Sequence, residues 1–367
     1  MTRAAANRRG DGRRWRKSDQ ARVPPVPYSA AQRALTGKEN GQDMHEWRRQ
    51  VQQIVDAIDD SIAARDDEAL TLRALAELLG YSEFHTTRRF KEVSGMPLRD
   101  YLRGRRLAFA LKEVRDGDAS LLDIALDHGF SSHEAFTRAF KRAFGVTPSA
   151  YRADPRPVVL RTKITAFDRY VLGMGEIGMT DENENENVEP YFITVPAHRF
   201  LHVANRESNG YWDFCQKQNE IPGQDMATVC GLLDSVKGKL DDEGGAEANA
   251  GGGQVMAYVS DPAGRLCAWG FPRVECLGAR LPRDWAGEVP PNLRLMDVEA
   301  GEYAVFEHGP FDYERQMRTV EDKIEAAMAA FEAADNGWQF DTAPGKVIYL
   351  YFDPARFCKY VRPVRRA

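Results

Sequence analysis

A repeated helix-turn-helix pattern is the feature that most constrains this chain. Residues 124–152 read I-A-L-D-H-G-F-S-S-H-E-A-F-T-R-A-F-K-R-A-F-G-V-T-P-S-A-Y-R. Gly129 suits the left-handed backbone that ends a helix, and Ser132 suits the N-cap of the next one. Phe136 and Phe140 then share one face. The opposite, polar face is of the kind that a helix-turn-helix places in a DNA major groove.

The same pattern occurs about fifty residues upstream. Positions 72–81 precede their counterparts by 49 residues and positions 82–95 precede theirs by 50, because Ser131 adds one residue to the second turn. A repeat this detailed predicts two helix-turn-helix units. An apolar stripe over residues 98–114 predicts a helix that joins them, ended by Asp116-Gly117-Asp118, and another amphipathic helix over residues 47–62 precedes the first unit.

The pattern is similar to the AraC/XylS family of transcription regulators over roughly residues 44–152. The resemblance rests on G-F-S-S, F-T-R-A-F-K, G-V-T-P and Y-R. It implies two recognition helices in successive major grooves on one face of the DNA. By motif position, the base-reading residues would be Phe84, Thr87 and Arg88 in the first unit and His133, Glu134, Thr137 and Arg138 in the second. Phosphate contacts or a solvated helix face are the alternatives for Arg88 and Arg138.

One position departs from the family pattern. The first unit has Thr86 where the second has Phe136 at the usual apolar core position. We therefore expect the first unit to be packed less firmly than the second.

Charge divides the 367-residue chain unevenly and predicts several domains. The net charge of −5 combines +6 over residues 1–43, zero over residues 44–152 and −11 over the remainder. We expect a disordered basic extension over 1–43, with Met44 as a candidate native start, a double helix-turn-helix domain over 44–152, a bridging segment and acidic linker over 153–189, and a further domain over 190–364. Within the bridge, residues 158–165 and 170–173 are expected to be β-rich.

A second and weaker repeat organises the C-terminal half. Residues 195–203 match residues 298–306 at an offset of 103. Each copy predicts a strand, a tight turn and a second strand, followed by a helix at 211–218 and at 313–334. Further strands are expected at 255–259, 266–271 and 346–352. A duplicated strand–helix–strand unit predicts a two-lobed α+β domain, and a cleft between the lobes is a natural ligand site.

This half resembles the GyrI-like small-molecule-binding domain over roughly residues 190–364, through E-A-G-E-Y-A-V-F-E-H-G-P-F-D-Y at 299–313 and Y-F-D-P at 351–354. The resemblance implies flat, apolar and often cationic ligands bound near a buried glutamate, whose position is taken here by Ile348. We therefore expect neutral planar compounds to be preferred over cations. The candidate ligand-binding residues are aromatic: Tyr191, Tyr211, Trp212, Tyr258, Trp269, Phe271, Tyr303, Tyr349 and Tyr351. Core packing is the alternative for each of them.

Glu275 and Glu307 are candidate replacements for the missing carboxylate, although exposed salt bridges are the simpler expectation for both. The five cysteines show no paired metal-ligand spacing, and an odd count does not suit a disulfide framework. We expect no cofactor and no metal site.

The sequence as a whole indicates a cytoplasmic transcription regulator that senses a small, apolar aromatic effector and is not an enzyme. The expected partners are double-stranded DNA, the effector and, as a further candidate, RNA polymerase, with no membrane. One alternative is an activator whose C-terminal domain contacts proteins and binds no ligand. Another is a small-molecule hydrolase fused to a DNA-binding domain, which would need a carboxylate to activate water.

Overall fold

The computed structural model describes residues 41–166, 188–241, 253–334 and 336–367. The N-terminal part is helical. Its helices are α1 Gly41–Ala64, α2 Leu72–Leu78, α3 Glu83–Ser94, α4 Leu98–Asp116, α5 Leu121–Asp127, α6 His133–Phe144 and α7 Pro148–Ala153. Most of the predicted basic extension lies outside the described residues. Helix α1 begins at Gly41, before Met44.

Local capping explains where these helices begin and end. The hydroxyl groups of Ser82 and Ser132 accept N–H bonds from His85 and Ala135 at the starts of α3 and α6, and Thr71 and Ser120 cap α2 and α5 in the same way. Such caps satisfy backbone donors that have no partner inside the helix. The two units therefore share one backbone plan.

The long helix α4 joins two separate cores. Its first half packs with Ile54 and Phe90 in the core of the first unit. Its second half packs with Phe136 and Phe140 in the core of the second unit, where Leu111 is fully buried. Both predicted units and the joining helix are thus present.

The segment after α7 is not the predicted β-rich bridge. Residues 155–166 form no strand, and residues 170–173 lie outside the described ranges. Leu160 donates its N–H to the carbonyl of Gly231, and Val158 donates to the hydroxyl of Ser235. These isolated bonds do not make a ladder, because both acceptors lie in a helix over residues 226–235 rather than in a strand. Most of the predicted acidic linker, including Glu182, Glu184 and Glu186, also lies outside the described residues.

The C-terminal part is one curled antiparallel sheet with helices on one face. The strands are β1 Tyr191–Val195, β2 His198–Asn205, β3 Val255–Leu266, β4 Pro272–Pro282, β5 Arg294–Val298, β6 Gly301–His308, β7 Trp338–Phe340, β8 Val347–Asp353 and β9 Phe357–Arg366. The helices are α8 Tyr211–Asn219, α9 Met226–Ser235 and α10 Tyr313–Ala333. The strand order is β1-β6-β9-β8-β3-β4-β2-β5, with β7 paired to β9.

The predicted offset of 103 residues corresponds to a structural duplication. Strands β1 and β2 begin and end 103 residues before β5 and β6, and both hairpins lead into helices, α8 and α10. Exchanging β1, β2, β3 and β4 with β5, β6, β8 and β9 reverses the strand order of the sheet. The sheet therefore has a pseudo-twofold arrangement, with β3 and β8 paired at its centre.

Several details of the C-terminal prediction were wrong or incomplete. The predicted strand at 266–271 is absent, because β3 ends at Leu266 and the chain then turns toward β4, with Gly270 at a left-handed φ of 82°. Helix α9 and the strands β4, β7 and β9 were not predicted. Strand β4 is buried along nearly its whole length, so it has no alternation of polar and apolar residues to reveal it.

Candidate DNA interface and aromatic pocket

The first recognition helix, α3, exposes its predicted base-reading residues. Phe84 is 75% exposed near the start of the helix. The Thr87 hydroxyl donates to the carbonyls of Glu83 and Phe84 at 2.8 and 3.0 Å. The Arg88 guanidinium is exposed, and its Nε bonds Glu92 at 2.9 Å. Any contact of Arg88 with a base therefore competes with this ion pair.

The second recognition helix, α6, presents a different set of groups. His133, Glu134 and Arg138 are exposed, and Thr137 is half-buried. Hydrogen bonds from its own backbone N–H and from Ser132 lower the pKa of Glu134, which keeps it an ionised acceptor. The position equivalent to Glu92 is Arg142, so Arg138 has no acidic neighbour one turn further along α6.

Comparison with known proteins identifies the helical part. A helix-turn-helix domain family model matches residues 75–154. The "Probable transcription factor PqrA" of Proteus vulgaris is 44% identical over 86 residues, which are 23% of this chain and 70% of that protein. "Regulatory protein SoxS" of Salmonella typhimurium is 38% identical over 101 residues, 28% of this chain and 94% of that protein. The chain belongs to the AraC family of transcription regulators.

Another match covers more of this AraC-family protein but a smaller share of the relative. "Transcriptional regulator Rob" of Salmonella typhimurium is 43% identical over 136 residues, which are 37% of this chain but only 39% of that protein. DNA binding by the helical part follows from these relationships. The family model does not extend to the sheet domain. Within the described residues, no helix is both long and apolar enough to cross a membrane.

Hydrogen bonds and an ion pair connect the joining helix α4 to the sheet domain of this AraC-family protein. The buried Arg115 near the end of α4 donates to the carbonyls of Ser235 and Val236 at 2.7 and 2.9 Å, where α9 ends. Lys112 of α4 forms an ion pair with Asp234 at 2.7 Å. The last carbonyls of a helix carry partial negative charge and favour such cations. Helix α9 in turn packs in the core on the helix-covered face of the sheet.

Four aromatic side chains, Tyr258, Trp269, Phe271 and Tyr360, pack against one another on that same face. We call these four residues the aromatic pocket, whose space the Trp269 indole fills in this structure. The indole of Trp269 stands edge-on to Tyr258 and Tyr360, with ring centroids 5.4 and 5.9 Å apart. Burial raises the pKa of Tyr258, so its phenol stays protonated. Tyr360 was not among the predicted residues.

Other candidate ligand-binding residues lie elsewhere. Tyr211 and Trp212 are partly exposed at the start of α8. Tyr191 lies on the edge strand β1, where its hydroxyl donates to Glu307 at 2.8 Å. The remaining three, Tyr303, Tyr349 and Tyr351, pack together in the core on the opposite face of the sheet. Alternation along β8 separates Tyr349 and Tyr351 from Ile348, so one groove does not collect all nine residues.

Two arginines that sequence reasoning missed flank the aromatic pocket. The guanidinium carbon of Arg273 lies 4.2 Å from the ring centroid of Tyr258 and 4.3 Å from that of Trp269. The guanidinium carbon of Arg362 lies 4.7 Å from the Trp269 centroid. Neither residue has a sequence signal that distinguishes it from a surface arginine.

The expectation of an exposed salt bridge at Glu275 was wrong. Its side chain is only 2% exposed and pairs with Arg273 at 3.3 Å. The N–H of Gly210, just before α8, donates to the same carboxylate at 2.6 Å. Glu275 is buried because it lies directly opposite Tyr258 in the register of β3 and β4. A buried carboxylate is therefore present, but an arginine neutralises it.

Proposed function

We propose that this protein is a sequence-specific transcription regulator whose C-terminal domain senses a small, largely apolar aromatic molecule. In this proposal residues 44–152 bind DNA and residues 190–364 form a GyrI-like effector domain. Residues 153–189 connect these two domains. The single observation that carries it is the joining of two helix-turn-helix units to a duplicated sheet that holds an aromatic pocket. RNA polymerase contact is the expected route from DNA binding to transcription.

Specific recognition is assigned to the seven exposed or half-exposed residues on α3 and α6. Arg138 suits a bidentate bond to guanine, Glu134 can accept from a cytosine amine, and Phe84 suits the methyl group of thymine. The chain carries both units, so one molecule is expected to fill two major-groove segments about 34 Å apart on one face of the DNA. The resulting site is asymmetric.

Footprinting on sequences selected from random DNA tests this proposal. The full chain should protect an asymmetric site that spans two adjacent helical turns, and its mass on DNA should correspond to one protein per site. A palindromic site that is bound only by a dimer would contradict the proposal.

Effector sensing is supported by the position of the aromatic pocket. The pocket shares its core with α9, and the carbonyls that end α9 receive the bonds of Arg115 from the joining helix. A ligand that shifts α9 would act directly on the helix between the two DNA-binding units. Hydrolase activity is not proposed, because Ile348 is apolar and the Glu275 carboxylate is paired with Arg273.

A further inference from the structure

Arg362 on β9 is a buried cation that forms no ion pair with any residue the structure describes. The residue is 2% exposed, and its guanidinium carbon lies 3.5 Å from the ring centroid of Phe340. Its one hydrogen bond within the described ranges runs from Nη1 to the Met328 sulfur at 3.6 Å, and a thioether is a weak acceptor. Its Nε has no acceptor there. Burial lowers the pKa of Arg362 to about 10, which leaves it charged at neutral pH.

Neighbouring acids do not neutralise this cation directly. Glu332 on α10 contributes a favourable field. Within the described part of the chain, however, Arg362 forms no ion pair. Arg273 differs, because it pairs with Glu275 at 3.3 Å. The guanidinium of Arg362 has no carboxylate partner among the described residues and instead faces the rings of Phe340 and Trp269 at 3.5 and 4.7 Å. Ring faces offset only part of the cost of a buried charge.

The sheet register places this cation at one end of a row of residues. Glu275 lies opposite Tyr258, and Tyr258 lies opposite Ile348. The register that pairs Tyr349 with Val361 continues this row from Ile348 to Arg362. Opposite residues in antiparallel strands project from the same face and have adjacent side chains. The row thus runs from the carboxylate of Glu275, across an aromatic and an aliphatic side chain, to the guanidinium of Arg362.

Trp269 fills the space between the other rings of the aromatic pocket. Its indole is a flat ring that touches Tyr258, Tyr360 and both guanidinium groups. The residue belongs to the turn between β3 and β4, which is closed by a bond from the Gly270 N–H to the Cys267 carbonyl. A turn at the tip of a hairpin can move without breaking the ladder of the sheet.

We propose that the aromatic pocket binds a planar aromatic anion, whose ring replaces the Trp269 indole and whose carboxylate or similar oxyanion accepts hydrogen bonds from Arg362. This inference rests on the proposed effector-sensing function and names its ligand class. An arginine and a carboxylate can form a bidentate, charge-assisted pair of hydrogen bonds. An organic cation would meet the like charge of Arg362, and a neutral ring would leave the guanidinium unpaired.

Calorimetry with three naphthalene probes on the full chain tests the charge preference. The probes are 2-naphthoate, 2-naphthamide and 2-naphthylmethylammonium, which share one ring system and differ in charge. We expect naphthoate to bind about tenfold to a hundredfold more tightly than the amide, as one charge-assisted hydrogen-bonded pair predicts. The ammonium probe should bind most weakly. This comparison needs no variant, so a folding defect cannot obscure it.

Variants then test the location of the site. Arg362→Met should reduce naphthoate affinity to that of the amide, and Trp269→Ala should increase naphthoate affinity by removing the competing ring. The matched control is Arg366→Met, because Arg366 stacks on Trp338 at 3.9 Å at the exposed end of the same strand. This control should leave the binding of all three probes unchanged.

Several results would overturn the inference. Tighter binding of the amide or the ammonium probe would refute the ligand class but would leave effector sensing by this domain intact. Naphthoate binding that Arg362→Met does not weaken would refute the site. No binding of any probe to the unchanged chain or to Trp269→Ala would refute the pocket itself. The calorimetry does not depend on DNA binding. A failure of DNA recognition would therefore appear only in the footprinting experiment.

Discussion

The two helix-turn-helix units have the same backbone arrangement but differ in the side chains that they bury and in those that they expose. Position 86 is threonine in the first unit, and its counterpart 136 is phenylalanine, yet both are buried. The capping serines and the left-handed glycines Gly95 and Gly145 are equivalent in both units. Helix boundaries are thus determined by caps and turns, while the packing and the DNA-facing chemistry of each unit are set separately.

The units also differ in how they are anchored. The end of α4 that belongs to the second unit is fastened to α9 through Arg115 and Lys112. The first unit instead holds residues 161–166, through a bond from the Ala166 N–H to Gln52 at 2.7 Å and contacts of Arg105 with Asp59 and the Arg161 carbonyl. Among the residues that the structure describes, α4 therefore connects the second unit to the sheet domain through these polar contacts.

The largest expected difference concerns the two cores. Phe136→Ala should reduce the free energy of unfolding by about 3–5 kcal/mol, because it leaves a large cavity among buried side chains. Thr86→Ala should cost less than about 1 kcal/mol, since it removes one methyl and a hydroxyl that has no partner. Urea denaturation followed by circular dichroism would measure both. Equal losses would show that the first core is packed as firmly as the second.

The anchoring difference predicts the next largest effect. Arg115→Met keeps the apolar stem but removes the bonds to the end of α9, so we expect a loss of about 2–3 kcal/mol. Thermal unfolding of the helical and sheet parts should then separate into two steps. Arg103→Met, an exposed site on the same helix, is the control and should change neither. A single unaltered transition for Arg115→Met would show that the anchor does not couple the two parts.

These differences mark the limit of what the sequence could predict. The helices of both units were predictable because caps, glycines and apolar spacing act within a few residues. The hairpins at 191–205 and 294–308 followed from their repeat. The strand predictions at 158–165 and 266–271 were wrong, because β-branched and aromatic residues favour a strand only where a neighbouring strand can pair with them. Residues 158 and 160 bond to helix α9 instead, and the chain turns at Gly270.

The aromatic pocket was only partly predictable for a different reason. Tyr258, Trp269 and Phe271 were identified as aromatic residues on or near predicted strands. Arg273 and Arg362 were missed because their roles depend on register across β4, β3, β8 and β9. Local patterns carry no information on which strands become neighbours. The same lack of long-range information made the buried Glu275 look like a surface residue.

The DNA-facing helices should differ in their dependence on arginine. Arg138→Ala should weaken binding to the selected site by about 1–3 kcal/mol and relax preference at one base pair. Arg88→Ala should cost less, because Glu92 already holds that guanidinium. Fluorescence anisotropy with selected and random DNA would measure both. If Arg138→Ala weakens random DNA equally, then Arg138 contacts a phosphate rather than a base.

A smaller effect should follow from the unpaired hydroxyl of Thr86. Thr86→Val removes a buried hydroxyl without a partner, so we expect a gain of about 1 kcal/mol in the free energy of unfolding. Thr71→Val is the matched control of opposite sign. The Thr71 hydroxyl caps α2 by accepting the Ala74 N–H, and its loss should cost about 1 kcal/mol. Destabilisation by Thr86→Val would mean that the hydroxyl is satisfied in solution.

The smallest expected difference is a response to acid that only the second unit shows. His128 is buried at the end of α5, and its counterpart in the first unit is Leu79. Desolvation lowers the pKa of His128, although Glu113, with a carboxylate oxygen 3.2 Å from Nε2, acts in the opposite direction. Arg65 also lowers this pKa and Asp127 raises it. The net shift leaves the folded protein with a neutral imidazole at pH values where the unfolded chain is protonated.

The sign of the pH effect follows from proton binding. Above the ordinary histidine pKa of about 6.5, neither state is protonated and the full stability is present. As the pH falls below that value, the unfolded chain binds a proton that folded His128 resists, and the second unit loses stability until the folded pKa is reached. His128→Leu, which copies Leu79, should remove this part of the loss. Urea unfolding at pH 7 and pH 5 measures it, and an equal loss with and without the substitution would assign the acid response to another group.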